Sequence, residues 1–390
     1  MSVLLVVLSG FFLFGSSMMY ASIMPVQVAE LGAPAWVPTA IPMALPSIVA
    51  IILLLPVAVY ADSTGKRREI LLTVSILICL ANIGLAQFTE SWVAVTILRI
   101  IKGIPNAILP MFAVILTFIL PEEKRGAAMG LGMGGAILGQ GVFQALSGSL
   151  FEWLGSYSNL YYFAAMLSAI AFLLLLPVKA PAVKSPTTLS GKDIAGVMKN
   201  RNIFITGTAL FFYLIGWNIM FGSFPVVSTD VLNTPIQLQT ALFAVASVML
   251  GFGTFIWGPV VDKIGGKKTL LTGITLSALA SFAIIPLSSQ LWPYVVLFWI
   301  ATLGGVCGLP ASSVIATRSV PKEMSTVAVN AMFIFVTVAG IVGGFIAGPI
   351  MAAGGLVVML LVAAILQAFG DLLVLKVPSK IEQVDQSVAG

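Results

Sequence analysis

Two basic residues, Arg99 and Lys102, lie inside an otherwise apolar stretch of the chain. In a helix, their spacing to each other and to Asn106 places all three on one face. Counted from Trp92 at 1.5 Å per residue, Arg99 lies about 10 Å and Lys102 about 15 Å into a membrane core about 30 Å thick. A charge at that depth costs at least about 2.5–3.5 kcal/mol, which favours a functional role. Two cations without a neighbouring acid are suited to binding a carboxylate, phosphate or sulfonate.

Each cation also has an alternative role. Arg99 could simply tie its helix to the backbone or hydroxyl groups of the first apolar helix. Lys102 could exchange a proton during a transport cycle, because burial and the nearby Arg99 both oppose its positive charge.

Other polar or aromatic side chains in apolar segments are further candidates for substrate contact. Gln140 and Gln144 form an i, i+4 pair on one helix face, fit either to bind a ligand or to bond a neighbouring helix. Interhelical bonding is the alternative for every candidate. The expected substrate-binding set is Arg99, Lys102, Asn106, Ser17, Tyr20, Gln140, Gln144, Trp217 and Asn218.

Catalysis of a covalent reaction has no support in the sequence. The chain contains no histidine, and its two cysteines, Cys79 and Cys307, lie in apolar runs without CxxC spacing. These facts exclude a Ser-His or Cys-His nucleophile and leave no metal site or haem site. No P-loop sequence occurs, so ATP-driven pumping by this chain is disfavoured. We expect no catalytic residue, no metal, no cofactor and no enzyme activity.

The composition indicates a membrane protein. Of 390 residues, 59% are hydrophobic and only 8% are charged, against about 25% charged in soluble domains. Hydrophobic runs of membrane-spanning length predict an all-α polytopic protein, and their length and lack of alternation exclude a β-barrel. The first run lacks the basic n-region of a signal peptide and is expected to be retained. We place the twelve spans at about 4–28, 38–60, 70–87, 92–120, 126–151, 158–177, 203–227, 237–261, 269–288, 291–317, 325–352 and 355–376.

The basic residues predict the orientation of these spans. Seventeen of the nineteen fall into alternate gaps, and the other gaps hold only the acids Glu30, Glu90, Glu152 and Asp230. By the positive-inside rule, both termini are cytoplasmic in a multi-pass protein of the cell membrane, which we expect to be a prokaryotic inner membrane. The net charge of +5 therefore reflects membrane loops, and nucleic acid is not an expected partner.

The chain also contains an internal repeat with an offset of 200 residues. At this offset Pro110 aligns with Pro310, and Asp62-x-x-Gly65-x-Arg67-Arg68 aligns with Asp262-x-x-Gly265-x-Lys267-Lys268. So many coincidences at one offset indicate duplication. Six spans per half make the halves parallel repeats, with a substrate site expected between them near the midplane. The expected domains are a bundle at 1–177, a cytoplasmic linker at 178–201, a second bundle at 202–376 and a cytoplasmic tail at 377–390.

These twin loops resemble the signature loops of the major facilitator superfamily. Ala58-Val-Tyr-Ala-Asp62-Ser-Thr-Gly65-Lys66-Arg67 resembles the loop between helices 2 and 3, although the family usually has glycine at the position of Ala58. Gly258-Pro-Val-Val-Asp262 with Gly265 and Lys267 resembles its echo between helices 8 and 9. The resemblance implies the major facilitator fold, transport by alternating access, and a set of residues that act as conformational latches. These are Asp62, Gly65, Arg67, Arg125, Asp262, Gly265 and Lys267.

Some motifs resemble the drug-efflux branches of that family. Arg99-x-x-Lys102-Gly103 is similar to their Arg-x-x-Gln-Gly motif, and Trp36-Val-Pro-Thr39 has the same character. However, helix 1 has Ser16 and Ser17 where many proton-coupled exporters have an acid. This difference argues against proton/drug antiport.

The leading hypothesis is secondary transport of a small organic solute, anionic or amphipathic, at a central site near Arg99 and Lys102. A proton-coupled multidrug efflux antiporter is the alternative, and a non-transporting membrane receptor or scaffold with the same fold is a second one. The expected partners are the solute, a coupling proton or counter-anion, and the lipid bilayer. We expect the protein to act as a monomer.

Overall fold

The computed structural model describes residues 2–21, 23–34, 37, 44–181, 183 and 191–378, and within these ranges the chain is helical with no strand. Ten helices there are long and apolar enough to cross a membrane, and Ser2–Met18 is a shorter apolar helix. One of the ten, Lys322–Val374, contains two passes, because Gly355 has a φ of 73° that no helix accommodates. The described chain thus makes twelve passes, as the sequence predicts.

We number these passes α1 to α12 in chain order. In the first half they are α1 (Ser2–Met18), α2 (Ala44–Thr64), α3 (Arg67–Gln87), α4 (Trp92–Ile101 and Ile104–Ile119), α5 (Arg125–Leu154) and α6 (Tyr157–Leu175). In the second half they are α7 (Arg201–Val226), α8 (Ile236–Ile264), α9 (Gly266–Leu287), α10 (Leu291–Gly305 and Gly308–Arg318), and α11 and α12, which are the parts of Ser325–Val374 before and after Gly355. The shorter elements are Met24–Glu30, Glu122–Lys124, Gly191–Lys199, Val227–Val231 and Lys322–Met324.

The first predicted span, 4–28, differs from the structure. Helix α1 ends at Met18, and the separate helix Met24–Glu30 follows with proline in its first turn. The first turn of a helix favours proline, because the N–H group that proline lacks would have no helical partner there. A short helix, Gly191–Lys199, lies within the expected linker. Residues 36, 38 and 39 of the Trp36–Thr39 motif, much of the expected linker and residues 379–390 lie outside the described residues.

Helix α4 is interrupted at the position of the basic pair. Lys102 and Gly103 leave the helix before Ile104 starts the next segment, with Pro105 in its first turn. Gly103 is required here, because a Cβ atom would overlap the backbone oxygen of Pro46 on α2. The break therefore places the Lys102 backbone against neighbouring helices instead of in a continuous helix.

Glycine allows the helices around the centre of the bundle to pack closely. On α5, a Cβ atom at Gly130 would meet the backbone of Thr254 on α8. A Cβ atom at Gly141 would meet the backbone of Ser247 on the same helix. On another face of α5, a Cβ atom at Gly139 would overlap the backbone oxygen of Phe11 on α1. Small residues of this kind let membrane helices approach at backbone distance. Helix α5 is thereby held between its own half and the second half.

We expect Gly139→Ala to lower the stability of the protein by about 1–3 kcal/mol, because the added methyl group must push α1 away from α5. The measurement is the thermal unfolding midpoint of the detergent-purified protein. Gly148→Ala is the matched control on the same helix, because nothing lies within 4 Å of a Cβ atom there. Equal midpoints for the two variants would contradict the packing argument.

Candidate functional site

The Arg99 side chain is fully buried and is bonded to α1. Its Nη1 donates to the Ser17 backbone oxygen at 2.9 Å, and its Nη2 lies 3.5 Å from the Met18 Sδ. These acceptors lie at the carboxyl end of α1, where helix carbonyl groups lack helical partners. The guanidinium group donates to both acceptors and is stabilised by the negative end of the helix dipole. Arg99 thus ties α4 to α1, which is the alternative role considered for it above.

The Lys102 ammonium group is also fully buried, and its neighbours surround it on three sides. Its Nζ donates to the Ser16 backbone oxygen at 2.9 Å and to the Asn82 Oδ1, and it lies 4.4 Å from the centre of the Tyr20 ring. An ammonium has three donors, and these neighbours provide two oxygen acceptors and one aromatic face. The Ser17 hydroxyl donates to the Lys102 backbone oxygen at 3.2 Å, which the break in α4 has released.

Helices α3 and α6 complete this buried cluster. The Tyr20 hydroxyl donates to the Asn82 Oδ1 at 2.9 Å, and the Asn82 amide donates to the Ser168 hydroxyl at 3.1 Å. The Tyr161 ring packs edge-on against Tyr20, with 4.9 Å between ring centres. We call Ser16, Tyr20, Asn82, Lys102 and Ser168 the lysine cluster. It joins α1, α3, α4 and α6 inside the first half of the protein.

A cavity of about 300 Å³ lies between the two halves. Three of the expected binding residues line it: Gln140 on α5 and Trp217 and Asn218 on α7. The Trp217 ring stacks on Phe221 with 4.5 Å between centres, which holds the indole in place. The remaining lining consists of Leu109, Ile137, Leu210, Leu214, Leu250, Gly305, Val306, Gly308, Leu309, Phe333, Val336 and Gly340.

Two pairs of equivalent positions in the duplicated halves line the cavity. Leu109 and Leu309, which are equivalent positions in the two halves, both line it, as do Gln140 and Gly340. Residues related by an axis can share one cavity only if that axis passes through or beside it. The repeat predicts a substrate site between the halves, and the cavity is the candidate for it.

The other expected binding residues lie elsewhere in this conformation. Arg99, Lys102, Ser17 and Tyr20 are buried inside the first half, and none of them is among the residues that line the cavity. Arg99 contacts α1, and Lys102 contacts α1 and α3, whereas the predicted face shared with Asn106 is interrupted by the break in α4. Spacing along a helix shows which residues share a face and not where the face points. The half-buried Asn106 and Gln144 are likewise absent from the described lining.

The sequence reasoning also missed Asn82, which is the central acceptor of the lysine cluster. The signal was available, because an amide side chain in the middle of an apolar span needs a partner inside the protein. Ser168 carries a weaker signal of the same kind. The lining residues Leu109, Leu210 and Leu250 could not have been singled out among so many leucines.

Two carboxylates bridge the halves at the end of the bundle where α2 passes into α3, α4 into α5, α8 into α9 and α10 into α11. We call this the basic end, because most of the described lysine and arginine residues lie there. Asp62 on α2 accepts from the amides of Thr326 at 3.3 Å and Val327 at 2.8 Å, at the start of α11. Asp262 on α8 accepts from the amides of Gly126 at 2.6 Å and Ala127 at 2.8 Å, at the start of α5.

These two contacts are related by the repeat: 62 and 262, 126 and 326, and 127 and 327 are equivalent positions. A carboxylate at a helix N-terminus satisfies amides that lack helical partners and benefits from the helix dipole. Asp62 is fully buried and forms an ion pair with Arg67, whose Nε also donates to the Thr326 hydroxyl at 3.0 Å. The first-half contact therefore contains a charge pair as well as amide bonds.

The remaining residues of the expected latch set surround these carboxylates. Gly65 and Gly265 have φ values of 70° and 84°, which favour glycine at both turns. The Lys267 Nζ donates to the Leu375 backbone oxygen at 2.7 Å, at the end of α12. Arg125 pairs with Glu122 at 3.3 Å, and Glu122 also pairs across the halves with Lys322 at 3.4 Å.

Comparison with known proteins identifies the family. A sequence model of the Major Facilitator Superfamily matches residues 6–344 and also residues 206–387. The chain belongs to the major facilitator superfamily. Its members are transporters and not enzymes, and this chain is a multi-pass membrane protein of that superfamily.

Curated relatives are distant. An MFS-type transporter of Gibberella zeae is 25% identical over 306 residues, which is 75% of this chain and 66% of that protein. The human chromaffin granule amine transporter is 24% identical over 210 residues, 53% of this chain and 39% of that protein. The agnestins efflux protein of Paecilomyces divaricatus is 23% identical over 292 residues, 72% of this chain and 64% of that protein. The chain thus spans less than two thirds of each relative's length, and these fungal and human relatives lend no support to a prokaryotic membrane.

Solved structures of the superfamily show the same fold. A proton:xylose symporter bound to 6-bromo-6-deoxy-D-glucose has a TM-score of 0.79 at 15% identity, covering 98% of this chain and 97% of that one. The human organic anion transporter MFSD10 (TETRAN) has a TM-score of 0.72 at 14% identity, covering 95% and 98%. At these identities the likeness shows two six-helix halves and leaves the solute open.

We expect Asp262→Asn to open the basic end of the protein. The amide has one acceptor oxygen and brings N–H donors against the Gly126 and Ala127 amides, which removes about 1.5–3 kcal/mol of charged hydrogen bonding. The measurement is the distance between spin labels at positions 124 and 322, in a background with Cys79 and Cys307 replaced by alanine. The distances should become longer.

Glu90→Gln is the control for this experiment, because Glu90 is an exposed carboxylate near the other end of the bundle. It should leave the label distances unchanged. A distance distribution in Asp262→Asn equal to that of the parent protein would show that this carboxylate does not hold the basic end closed.

Proposed function

We propose that the protein transports a small, largely apolar organic solute that binds in the cavity between its halves. The observation that carries this proposal is the shared lining, because the cavity is formed by equivalent positions of both repeats, Leu109 with Leu309 and Gln140 with Gly340. A site bounded by both halves changes its exposure when one half rocks against the other. Gln140, Trp217 and Asn218 would bind the solute there.

The lining supports a neutral or amphipathic solute. It contains no charged side chain, and its polar groups are two amides and one indole. A volume of about 300 Å³ lies at the small end of the range for ligand pockets. An anion would have to be desolvated against apolar walls, because the buried Arg99 and Lys102 do not reach this lining. The anionic solute expected from the sequence is therefore the less favoured choice.

A lipophilic amine, carried by a proton-coupled efflux antiporter, is the second candidate. The cavity supports this candidate, because it is apolar and lined by Trp217, whose ring stacks on Phe221. The relatives support it as well, since they include an efflux protein and amine transporters. Against it, no carboxylate lines the cavity in the described part of the chain. An ammonium ion without a carboxylate could bind there only through the aromatic face and amide oxygens.

The transport cycle would be a rocking of residues 1–177 against residues 203–376, with the protein acting as a monomer. Asp62 and Asp262 would close the basic end, which the positive-inside rule assigns to the cytoplasm together with both termini. The conformation described here would then be closed to the cytoplasm. Near the other end, Gly148 on α5 and Gly348 on α11 have nothing within 4 Å of a Cβ position, which fits an opening on the outer side.

The two neighbouring glutamines of α5 provide a matched test. Gln140→Ala should reduce the thermal stabilisation of purified protein by a bound solute, because Gln140 lines the cavity. Gln144→Ala should leave it unchanged, because Gln144 lies one helical turn away and outside that lining. The Gln140→Ala variant should bind the solute roughly fivefold more weakly. This corresponds to about 1 kcal/mol of binding free energy, the contribution of one hydrogen bond.

The solute for this test comes from a stabilisation screen with neutral aromatic amides, aromatic carboxylates and lipophilic quaternary ammonium ions. Hits among neutral compounds that depend on Gln140 would support the proposal, and counterflow of the same compound in proteoliposomes would show transport. Hits confined to carboxylates, and insensitive to Gln140, would overturn the proposed site.

A further inference from the structure

The lysine cluster contains a charge that the architecture does not require. Within the described residues, none of the ion pairs involves Lys102, whose ammonium is held by a backbone oxygen, an amide oxygen and an aromatic ring. Among the described residues, these two oxygen dipoles and the ring compensate the buried charge. Because no described carboxylate is bonded to it, removal of the proton leaves no unpaired negative group behind.

The second half of the protein provides an internal control. The position equivalent to Lys102 is Thr302, which is fully buried and whose hydroxyl oxygen has no hydrogen-bond partner. Helices α7, α9 and α12 are nevertheless joined by neutral groups: Tyr213 bonds Ser277 at 3.1 Å, and Ser277 donates to the Gln367 Oε1 at 3.0 Å. A six-helix half of this fold therefore packs without a cation at this position.

We propose that Lys102 is a proton-binding site through which the protein couples solute transport to a proton gradient. This inference rests on the proposed transport function and adds the coupling ion and its site. The two oxygen acceptors and the ring face around the Lys102 Nζ match the three donors of an ammonium group. The Nζ–H bond breaks when the proton leaves to water, and the electron pair stays on the neutral amine.

The groups around Lys102 can accommodate both forms. The Lys102 Nζ faces the Ser16 oxygen of α1, the Tyr20 ring just beyond the end of α1, and Asn82 of α3, whose Oδ1 also accepts from the Tyr20 hydroxyl. The neutral amine keeps two N–H donors for the Ser16 and Asn82 oxygens. Arg99 on α4 keeps its charge throughout, because guanidinium does not lose its proton in proteins. Tyr161 on α6 is the other titratable group nearby, and it contacts Tyr20.

Burial makes this proton exchange depend on the conformation. The lysine has no exposed surface in this structure, so its proton can leave only in another state of the cycle. The lysine is bonded to α1 through the Ser16 oxygen, and α1 meets α5 at Phe11 and Gly139, one residue from Gln140. A shift of α1 at the lysine cluster is thus transmitted by direct packing to the cavity wall. Proton release and solute release become steps of one movement.

The first test needs no solute. Protein labelled with [13C]lysine is placed in nanodiscs, and the resonance that disappears in Lys102→Met is followed from about pH 5 to about pH 10, a range that spans buried and ordinary lysines. We expect this resonance to titrate within the range and to be unaffected by Thr302→Val. A resonance that keeps its ammonium shift throughout would overturn the inference, whatever the solute proves to be.

The second test separates coupling from transport in proteoliposomes, with the compound identified by the stabilisation screen. Wild-type protein should show both counterflow at equal pH and accumulation driven by a pH gradient. Lys102→Met and Lys102→Arg should keep counterflow and lose at least about tenfold of the gradient-driven accumulation, because neither side chain exchanges a proton. Thr302→Val should keep both activities.

The outcomes distinguish the two proposals. Wild-type counterflow without any response to the pH gradient, or gradient-driven accumulation that survives Lys102→Met, would overturn proton coupling at Lys102 and leave the transport function standing. Absence of counterflow in wild-type protein would count against the proposed function, and the nuclear magnetic resonance titration would then decide on the proton site alone. If Lys102→Arg fails to fold, Lys102→Met is sufficient for each comparison.

Discussion

Charge buried away from water must be compensated inside the protein, and this constraint organises the molecule at each functional position. The Asp62 carboxylate meets Arg67 and the first amides of α11, and Asp262 meets the first amides of α5. The Lys102 ammonium meets the carboxyl end of α1 and the Asn82 amide. In each case one partner is the end of a helix, where backbone groups lack partners of their own. Charge and helix end stabilise each other.

The contacts between the halves are of two kinds. At the basic end the contacts between halves include a few strong hydrogen bonds at Asp62 and Asp262, which can break and form as units. Between them, α5 and α8 approach at backbone distance through glycines such as Gly130 and Gly141. Small residues of this kind let the two halves pack closely here.

The cavity and the basic pair are separated in this structure. The cavity on the axis is lined by apolar residues with the Gln140 and Asn218 amides, whereas the basic pair lies among α1, α3, α4 and α6. The apolar solute that we propose would then not meet the buried ammonium ion. Helix α1 contacts α5 at Phe11 and Gly139, next to Gln140 of the cavity lining.

The sequence by itself determined the fold, because membrane spans, basic loops and a 200-residue repeat are local or periodic signals in an apolar chain. It also placed Asp62 and Asp262 at helix ends and Gln140, Trp217 and Asn218 in the spans that border the axis. Only the tertiary structure decided that Arg99 and Lys102 turn away from that axis and that Gln140 reaches the cavity while Gln144 does not. The physical reason is rotational: spacing specifies which residues share a helix face, but the direction of that face depends on packing against neighbours far away in the chain.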